Sequence, residues 1–422
     1  MKEIALGLFI LTYVLLLSFP AKRWLIAFAS AIVFVVIGIL PFSELPYAID
    51  FNVLMMIGGT MGIVALFIES KMPVLMADYI LDRTPNVKWA IIALSLFAGV
   101  ISAFVDNVAT VLMVAPVALN IALKLKINPI PSIIAIAVSS NLQGAATLVG
   151  DTTSILLGGY ANMNFMDFFF MDGKFSIFWA VQLGAVVSTF ILLFIFKKET
   201  QEVHLEEMQK VEDFFPTYLL LGMIGLLILA SFIQIDFALI NGTICMTLLF
   251  VGLVRDSIVR KDVSLVRKTI LEIDYQTLIL LASLFVIIAG INYVGIVSDI
   301  SKLFIQVAGD NIFIIYTLIV WASVLLSAFI DNIPYVATML PVVASLAASL
   351  GVDPTLLYFG LLTGATLGGN LSPIGASANI AGLGILRKAG YNPTTTDFMK
   401  IGVPFTLAAV ISSYIFVWLI WA

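Results

Sequence analysis

The sequence predicts an all-α polytopic membrane protein built from two inverted repeats, each with about five transmembrane spans, a re-entrant hairpin and a broken helix. Three observations carry that prediction: the composition, a duplicated heptad with colinear landmarks, and the distribution of Lys and Arg. Of 422 residues, 61% are hydrophobic and only 11% charged, and the mean hydropathy is +1.12. A soluble domain carries about 25% charged residues, so most of this surface faces something other than water. Apolar runs recur at close to the ~20 residues needed to cross a bilayer core.

Ser102-Ala103-Phe104-Val105-Asp106-Asn107-Val108 returns as Ser327-Ala328-Phe329-Ile330-Asp331-Asn332-Ile333, an offset of 225 with five of seven positions identical. At the same offset Pro116 meets Pro341, Pro129 meets Pro354, Gly144 meets Gly369 and Gly150 meets Gly375. Asp50-Phe51 also matches Asp274-Tyr275, and Asp167-Phe168 resembles Asp397-Phe398. Colinear landmarks at a fixed period mark an internal repeat. The charged stretch 197–216 divides the chain into a first repeat at 1–196 and a second at 217–422, with the stretch itself a cytoplasmic linker.

Taken in order, the first half has spans at about 4–19, 24–40, 51–70, 131–158 and 175–196, with two apolar arms at 89–123 meeting at Asp106-Asn107. Span 4–19 has no basic leader and no small-residue cleavage site, so it reads as a retained span and not as a secretory signal. The second half has spans at about 217–235, 238–254, 275–295, 355–386 and 402–420, with the matching arms at 312–348. Each half crosses five times if the arms form a re-entrant hairpin and seven if both arms span. Both counts are odd, so the copies are oppositely oriented, as in secondary transporters. With five crossings, one side collects 18 of the 21 Lys and Arg residues and the other only Lys2, Lys174 and Lys302. The positive-inside rule then puts both termini outside the cell's inner (cytoplasmic) membrane. The single Cys245 excludes an intramolecular disulfide. His204 sits in the polar stretch and reads as a solvated residue, not as a proton relay.

Asp106 and Asp331 each interrupt an apolar run, where an ionised side chain costs about 2.5–3.5 kcal/mol on insertion scales. That cost is tolerated where the group faces a cavity, an ion or a proton. At an interrupted helix, a carboxylate, the amide oxygens of Asn107 and Asn332 and freed carbonyls make a set of hard oxygen ligands for a small cation. Asp and Asn are also good N-caps, and the two roles are compatible. Two further stretches, Gly144–Ser154 and Gly369–Asn379, break apolar spans with Gly and small polar residues. Gly150 and Gly375 allow close backbone approach to the bound ion and join the ion-binding set, and Thr147, Thr152, Thr153, Asn370, Ser372, Ser377 and Asn379 supply neutral oxygens for a substrate, as do Ser102 and Ser327. Tight packing of small residues is the competing explanation for this composition. Asp151 faces Ala376 in the repeat, and a lone buried carboxylate is a natural proton carrier. No Lys or Arg lies between 89 and 123, 131 and 173, or 303 and 386, so the expected core offers three carboxylates and no fixed cation.

These residues resemble the ion-transporter superfamily, which contains arsenite permeases, the melanosomal P-protein, D-type sodium/proton antiporters and, more distantly, divalent-anion/sodium symporters. The likeness covers nearly the whole chain. Its most specific parts are the two Asp-Asn tips with their following prolines, Gly150-Asp151, and Gly368-Gly369-Asn370 leading to Ile374-Gly375-Ala376-Ser377-Ala378-Asn379. Thr152-Thr153-Ser154 stands where arsenite permeases and P-proteins tend to carry a Pro-Pro-Asn type element, and is more similar to the D-type antiporters. The resemblance implies sodium at the Asp106-Asn107 and Asp331-Asn332 positions, a homodimer, and a transport domain moving against a scaffold.

The expectation is therefore a secondary active transporter, foremost a sodium(cation)/proton antiporter with Na+ and/or H+ as coupling ions and no other cofactor. Arsenite efflux and cation-coupled uptake of a small (di)carboxylate or other anion are the alternatives. No Walker loop, dinucleotide fingerprint or Cys/His metal spacing points to an enzyme or to ATP drive. Topology explains the basic residues without nucleic acid. An intramembrane hydrolase would need carboxylates converging from one orientation of spans, and a channel would show uncoupled flux. The partners expected are the lipid bilayer and a small inorganic ion or small-molecule substrate.

Overall fold

A computed structural model of the chain describes residues 1–203, 208–211, 213–233, 237–259 and 263–422. His204, Arg260, Lys261 and part of the 197–216 linker lie outside them. The described chain is almost wholly helical. In order it runs α1 (Lys2–Ser18), α2 (Arg23–Val36), α3 (Leu45–Ala48), α4 (Phe51–Glu69), α5 (Met72–Asp82), α6 (Val87–Ser102), α7 (Asn107–Leu125), α8 (Ile130–Gly144) and α9 (Thr152–Tyr160). A two-stranded hairpin, β1 (Phe170–Met171) and β2 (Lys174–Phe175), precedes α10 (Ile177–Ile195). Then follow α11 (Phe215–Phe232), α12 (Ile240–Ile258), α13 (Val263–Glu272), α14 (Tyr275–Tyr293), α15 (Ile296–Ala308), α16 (Ile312–Ser327) and α17 (Asn332–Leu350). The chain ends with α18 (Thr355–Leu362), α19 (Ser377–Lys388) and α20 (Thr395–Trp421).

Among the described residues, seven helices are long and apolar enough to cross a membrane, and up to nine if each of two sharply bent pairs is one span. The chain is thus an all-α polytopic membrane protein. The helices α5, α13 and α15 and the short β-hairpin have no counterpart in the sequence-based spans. α15 and α16 meet at 115°.

Polar residues at the ends of apolar runs set the boundaries. Asp50 caps α4 by accepting from Val53 N at 3.0 Å, and Asp274 caps α14 by accepting from Thr277 N at 3.0 Å. An N-cap acceptor satisfies amides left free in a helix's first turn. The left-handed turns recur as well: Lys71 (φ 60) and Gly295 (φ 79) precede α5 and α15, and Lys126 (φ 55) and Gly351 (φ 66) follow α7 and α17. These pairs lie 224 and 225 residues apart, so the duplication seen in the sequence extends to backbone geometry.

The two halves are interleaved. α4 packs on α12, while its counterpart α14 packs on α2. α7 packs on α19 and α17 on α9, so each Asp-Asn arm lies against the broken helix of the other half. The last spans, α10 and α20, pack on each other. Between them the innermost pieces are wholly enclosed: every residue from Ser132 to Gly144 in α8 and from Thr355 to Leu362 in α18 is buried.

Candidate functional site: two Asp-Asn tips on one cavity

Each duplicated heptad forms the turn between two helices. The arm α6 ends at Ser102, and Asp106 starts α7 by accepting from Ala109 N at 3.0 Å. The arm α16 ends at Ser327, and Asp331 starts α17 by accepting from Ile333 N at 3.1 Å. The capping role is therefore real in both copies, and it uses one carboxylate oxygen of each.

The glycine-rich stretches break their helices. α8 stops at Gly144 and the chain restarts as α9 only at Thr152, with Asp151 as N-cap accepting from Thr152 N at 2.8 Å. In the second half α18 passes into a π-helical turn over Thr363–Leu367 and a 3-10 turn over Gly369–Leu371 before α19 begins at Ser377. A π turn inside a helix leaves its backbone groups out of the regular ladder and is frequent at functional positions. Ala376 occupies the N-cap position of α19 and provides no side-chain acceptor.

The breaks are tied to the tips by one bonding pattern used twice. The Thr147 hydroxyl donates to the Ala103 carbonyl, and the Ser372 hydroxyl donates to the Ala328 carbonyl, both at the same offset of 225. Ser154 Oγ donates to Gly144 O at 3.1 Å, and Asn379 Nδ2 donates to Gly369 O at 3.2 Å. Ser102 accepts from Ser140 Oγ at 3.1 Å, while Ser327 donates to the Ala365 carbonyl. Gly150 and Gly375 sit where tip and break touch. A Cβ on Gly150 would lie 2.6 Å from Gly144 O and 2.9 Å from Ala103 O, and one on Gly375 would lie 2.5 Å from Gly369 O and 2.6 Å from Ser327 O.

Between the halves runs a buried amide network that the sequence-based site does not contain. Asn107 Nδ2 donates to Asn141 Oδ1 at 3.0 Å, and Asn141 Nδ2 donates to Asn370 Oδ1 at 3.1 Å and to Thr366 O at 2.9 Å. Asn370 Nδ2 reaches Val138 O at 2.8 Å. Thr153 Oγ1 joins the network, pairing with Thr366 Oγ1 at 2.9 Å and donating to Asp151 Oδ2 at 2.9 Å. The one signal of it in the sequence is Ser139-Ser140-Asn141, polar residues inside an apolar run.

A cavity of about 670 Å³ opens on this assembly. Asp106, Asn107, Asp151, Thr152, Asn332 and Ser377 line it, with Glu272 and Asp274 further along its wall. Among the described residues its lining contains no Lys or Arg. Of the other residues singled out from sequence, Ser102, Thr147, Thr153, Ser327, Asn370, Ser372 and Asn379 do not line it and instead hold the breaks in place. Asn379 Oδ1 is buried without a hydrogen-bond partner.

One expectation is corrected. The sequence implies a core with three carboxylates and no fixed cation, yet Arg23 Nη1 lies 2.8 Å from Asp331 Oδ2. Asp331 therefore does not open on the cavity as Asp106 does. The partner is 308 residues away in sequence, so scanning the flanking runs for basic residues cannot find it.

Residues 13–364 match the family model described as "CitMHS: Citrate transporter". An uncharacterized transporter of Mycobacterium tuberculosis is 31% identical over 435 residues, covering 99% of this chain and 98% of its own. The P protein of Homo sapiens is 27% identical over 446 residues, covering 84% of this chain and 52% of that protein. Among solved structures, the YdaH transporter of Alcanivorax borkumensis aligns with a TM-score of 0.59 at 15% identity, over 89% of this chain and 87% of that one. MtrF of Neisseria gonorrhoeae aligns with a TM-score of 0.55 at 15% identity, over 97% and 84%. At such identity the two structures establish likeness of fold. With the family model spanning well over half its length, and with the resemblance to the P-protein borne out, this chain is a membrane transporter of the CitMHS citrate-transporter family.

Proposed function

We propose that the chain is a secondary active transporter coupled to sodium or another cation, foremost a cation/proton antiporter. The observation that carries this is the 670 Å³ cavity where Asp106, Asn107, Asp151, Thr152 and Asn332 meet, with no Lys or Arg among the described residues of its lining. Desolvated carboxylates with no fixed counter-charge attract cations and repel bare anions. Asp106 uses one oxygen as a helix cap and keeps the other for a ligand, with the Asn107 and Asn332 amides alongside. Asp151 exchanges the proton: it takes one up when the cation leaves and releases it when the cation returns.

In this reading residues 1–196 and 217–422 are inverted repeats joined by a cytoplasmic linker at 197–216, and both termini lie outside the inner membrane. The recurrence of turns, caps and hydrogen bonds at an offset of 224–225 supports the duplication. Alternating access carries the tips and broken helices past the remaining spans in an elevator-like movement within a homodimer.

A second reading is favoured by the family description, which names citrate. A cavity lined by carboxylates accepts a polycarboxylate only together with cations that neutralise it, so this reading is symport of an anion with its counter-ions. Arsenite efflux is a third possibility in the same site, and MtrF, similar in fold, is described as one of a class of antimetabolite efflux pumps. Flux into proteoliposomes under imposed gradients separates them, comparing sodium, lithium, protons, arsenite, citrate and smaller dicarboxylates. Antiport predicts sodium-driven proton movement without any organic anion. Transport of citrate only in the presence of a cation would replace that reading with the second, and cation-independent flux would overturn both.

A further inference from the structure

The two Asp-Asn tips are chemically equal in sequence and unequal in their surroundings. Asp106 opens on the cavity and has no ion pair among the described residues. Asp331 is held by Arg23, the first residue of α2, with side-chain exposures of 13% for Asp331 and 23% for Arg23. A second bond ties the preceding helix to the same arm: Tyr13 Oη on α1 donates to Pro334 O at 2.8 Å and also pairs with the Thr338 hydroxyl. Leu16, Leu17 and Ile330 close the remaining space, and the crevice they leave is about 10 Å³, too small to hold more than a single water.

We propose that the Arg23 guanidinium is a built-in counter-cation that clasps the second hairpin tip against α1 and α2, and that a transported cation reaches Asp331 only by displacing it. A half-buried carboxylate stripped of its only cation is left uncompensated, which is costly, whereas exchanging one cation for another is not. The clasp therefore opens in step with arrival of a mobile cation. Arg suits this role because its fork stays charged under all conditions and is less strongly hydrated than an ammonium. Among the described residues the first tip presents a carboxylate without a fixed counter-cation and the second a carboxylate paired with Arg23, so the two tips offer a cation unequal sites. The clasp rests on geometry alone. The displacement step rests on the proposed cation coupling.

Leu16, buried at 3% exposure behind the clasp, reports on its opening. In a Cys245→Ala, Leu16→Cys background, labelling of purified protein in detergent by a membrane-impermeant maleimide measures how often the crevice opens. Arg23→Gln is expected to speed labelling about tenfold, equivalent to about 1.4 kcal/mol. Asp331→Asn, which keeps its capping oxygen for Ile333 N, should match it, and the double variant should label no faster than either, because both remove one interaction. Arg23→Lys should stay near the parental rate. Replacing choline by sodium or lithium should speed labelling of the parent and leave Asp331→Asn unchanged.

A parental rate in Arg23→Gln and Asp331→Asn, with both eluting as folded protein, overturns the clasp. Faster labelling in both, with a parental rate that no cation alters, overturns the displacement step. If instead flux in proteoliposomes proves cation-independent while the clasp variants still label faster, the proposed coupling falls and the clasp stands.

Discussion

Gly150 and Gly375 provide the sharpest test of how tip and broken helix fit together. In Gly150→Ala the new Cβ would lie 2.6 Å from Gly144 O, which is 0.8 Å inside the 3.4 Å at which ordinary contact begins. In Gly375→Ala it would lie 2.5 Å from Gly369 O, 0.9 Å inside that limit, and 2.6 Å from Ser327 O. These neighbours are backbone carbonyls, which cannot swing aside as a side-chain end can, so the break must deform and must also draw away from the tip, whose Ala103 O and Ser327 O lie 2.9 and 2.6 Å from the new Cβ atoms. Overpacking of a tight core costs typically 1–3 kcal/mol, and rigid neighbours put these positions at the upper end, about 3 kcal/mol each. Gly384, inside α19, is the contrasting case, because a Cβ added there would meet nothing within 4 Å. Gly384→Ala should gain about 0.5–1 kcal/mol from helix propensity. Thermal unfolding of the purified proteins in detergent, followed by tryptophan fluorescence, compares the three. Both tip variants should melt several degrees below the parent and Gly384→Ala at or above it. If Gly150→Ala and Gly375→Ala melt with Gly384→Ala, the carbonyls do not approach the glycines and the description of the breaks is wrong.

Three further outcomes follow from the site. Asp151→Asn keeps an oxygen for Thr152 N, so the protein should fold and melt normally while exchange in proteoliposomes loses its pH dependence; unchanged pH dependence removes Asp151 from the proton path. Asp106→Asn preserves the cap and Asp106→Ala removes it, so only the alanine variant should lose stability, by about 1 kcal/mol, whereas both should lose cation-dependent flux. Asn141→Ala strands the Asn107 donor and the Asn370 acceptor, each costing about 1–3 kcal/mol when buried unpaired. Unfolding should detect that loss, and an undiminished midpoint would mean the amide network contributes nothing.

Much of this architecture is legible in sequence because the bilayer enforces it. Backbone groups inside hydrocarbon must bond within their own helix, so apolar runs mark helices and the polar interruptions mark their ends. The helix breaks at Gly144–Asp151 and Gly369–Ala376 are visible because glycines and small polar residues cluster there at one offset, whereas single glycines such as Gly59 and Gly184 serve close packing within unbroken helices. The duplication is visible because heptad, prolines and glycines keep one offset. α5, α13 and α15 are not found by that rule, because helices of 10–13 residues fall short of the apolar length that marks a span, although α13 and α15 carry an amphipathic pattern. The amide network is hidden because Asn141 owes its partners to packing between halves, and Arg23–Asp331 because the pair joins residues 308 positions apart. Periodicity reports what a segment does locally. Contacts between the halves have no period to report.

What the duplication conserved, and what it let diverge, argues for the division of labour proposed above. Two paired bonds hold the breaks to the tips, Thr147 with Ala103 and Ser372 with Ala328, and two hold each break's own ends together, Ser154 with Gly144 and Asn379 with Gly369. Each is a neutral hydrogen bond between parts that must stay together if tip and break travel as one piece. The capping carboxylates recur too, but the charge around the site does not follow that symmetry. Asp151 stands opposite Ala376, and Asp106 faces the cavity while Asp331 faces Arg23. In the proposed reading the repeat gives two related end states of access, and coupling adds that the two tips differ in the charges around them. Placing one ionisable group on a single copy and a fixed cation on the other supplies that difference without disturbing the paired bonds. On the proposed mechanism the net charge of the tips changes with loading, and a proton on Asp151, a cation at Asp106, and Arg23 on or off Asp331 are separable steps. Exchanging the asymmetric residues tests this directly. Asp151→Ala with Ala376→Asp moves the carboxylate to the other copy, where Ala376 already holds extended N-cap backbone (φ −140, ψ 144) like that of Asp151 (φ −142, ψ 155). The double variant should fold, since the carboxylate introduced at this N-cap has α19 amides to accept from. If exchange keeps its pH dependence in this variant, the proton site is portable and the asymmetry is incidental; its loss would tie proton exchange to the half whose tip is free of Arg23.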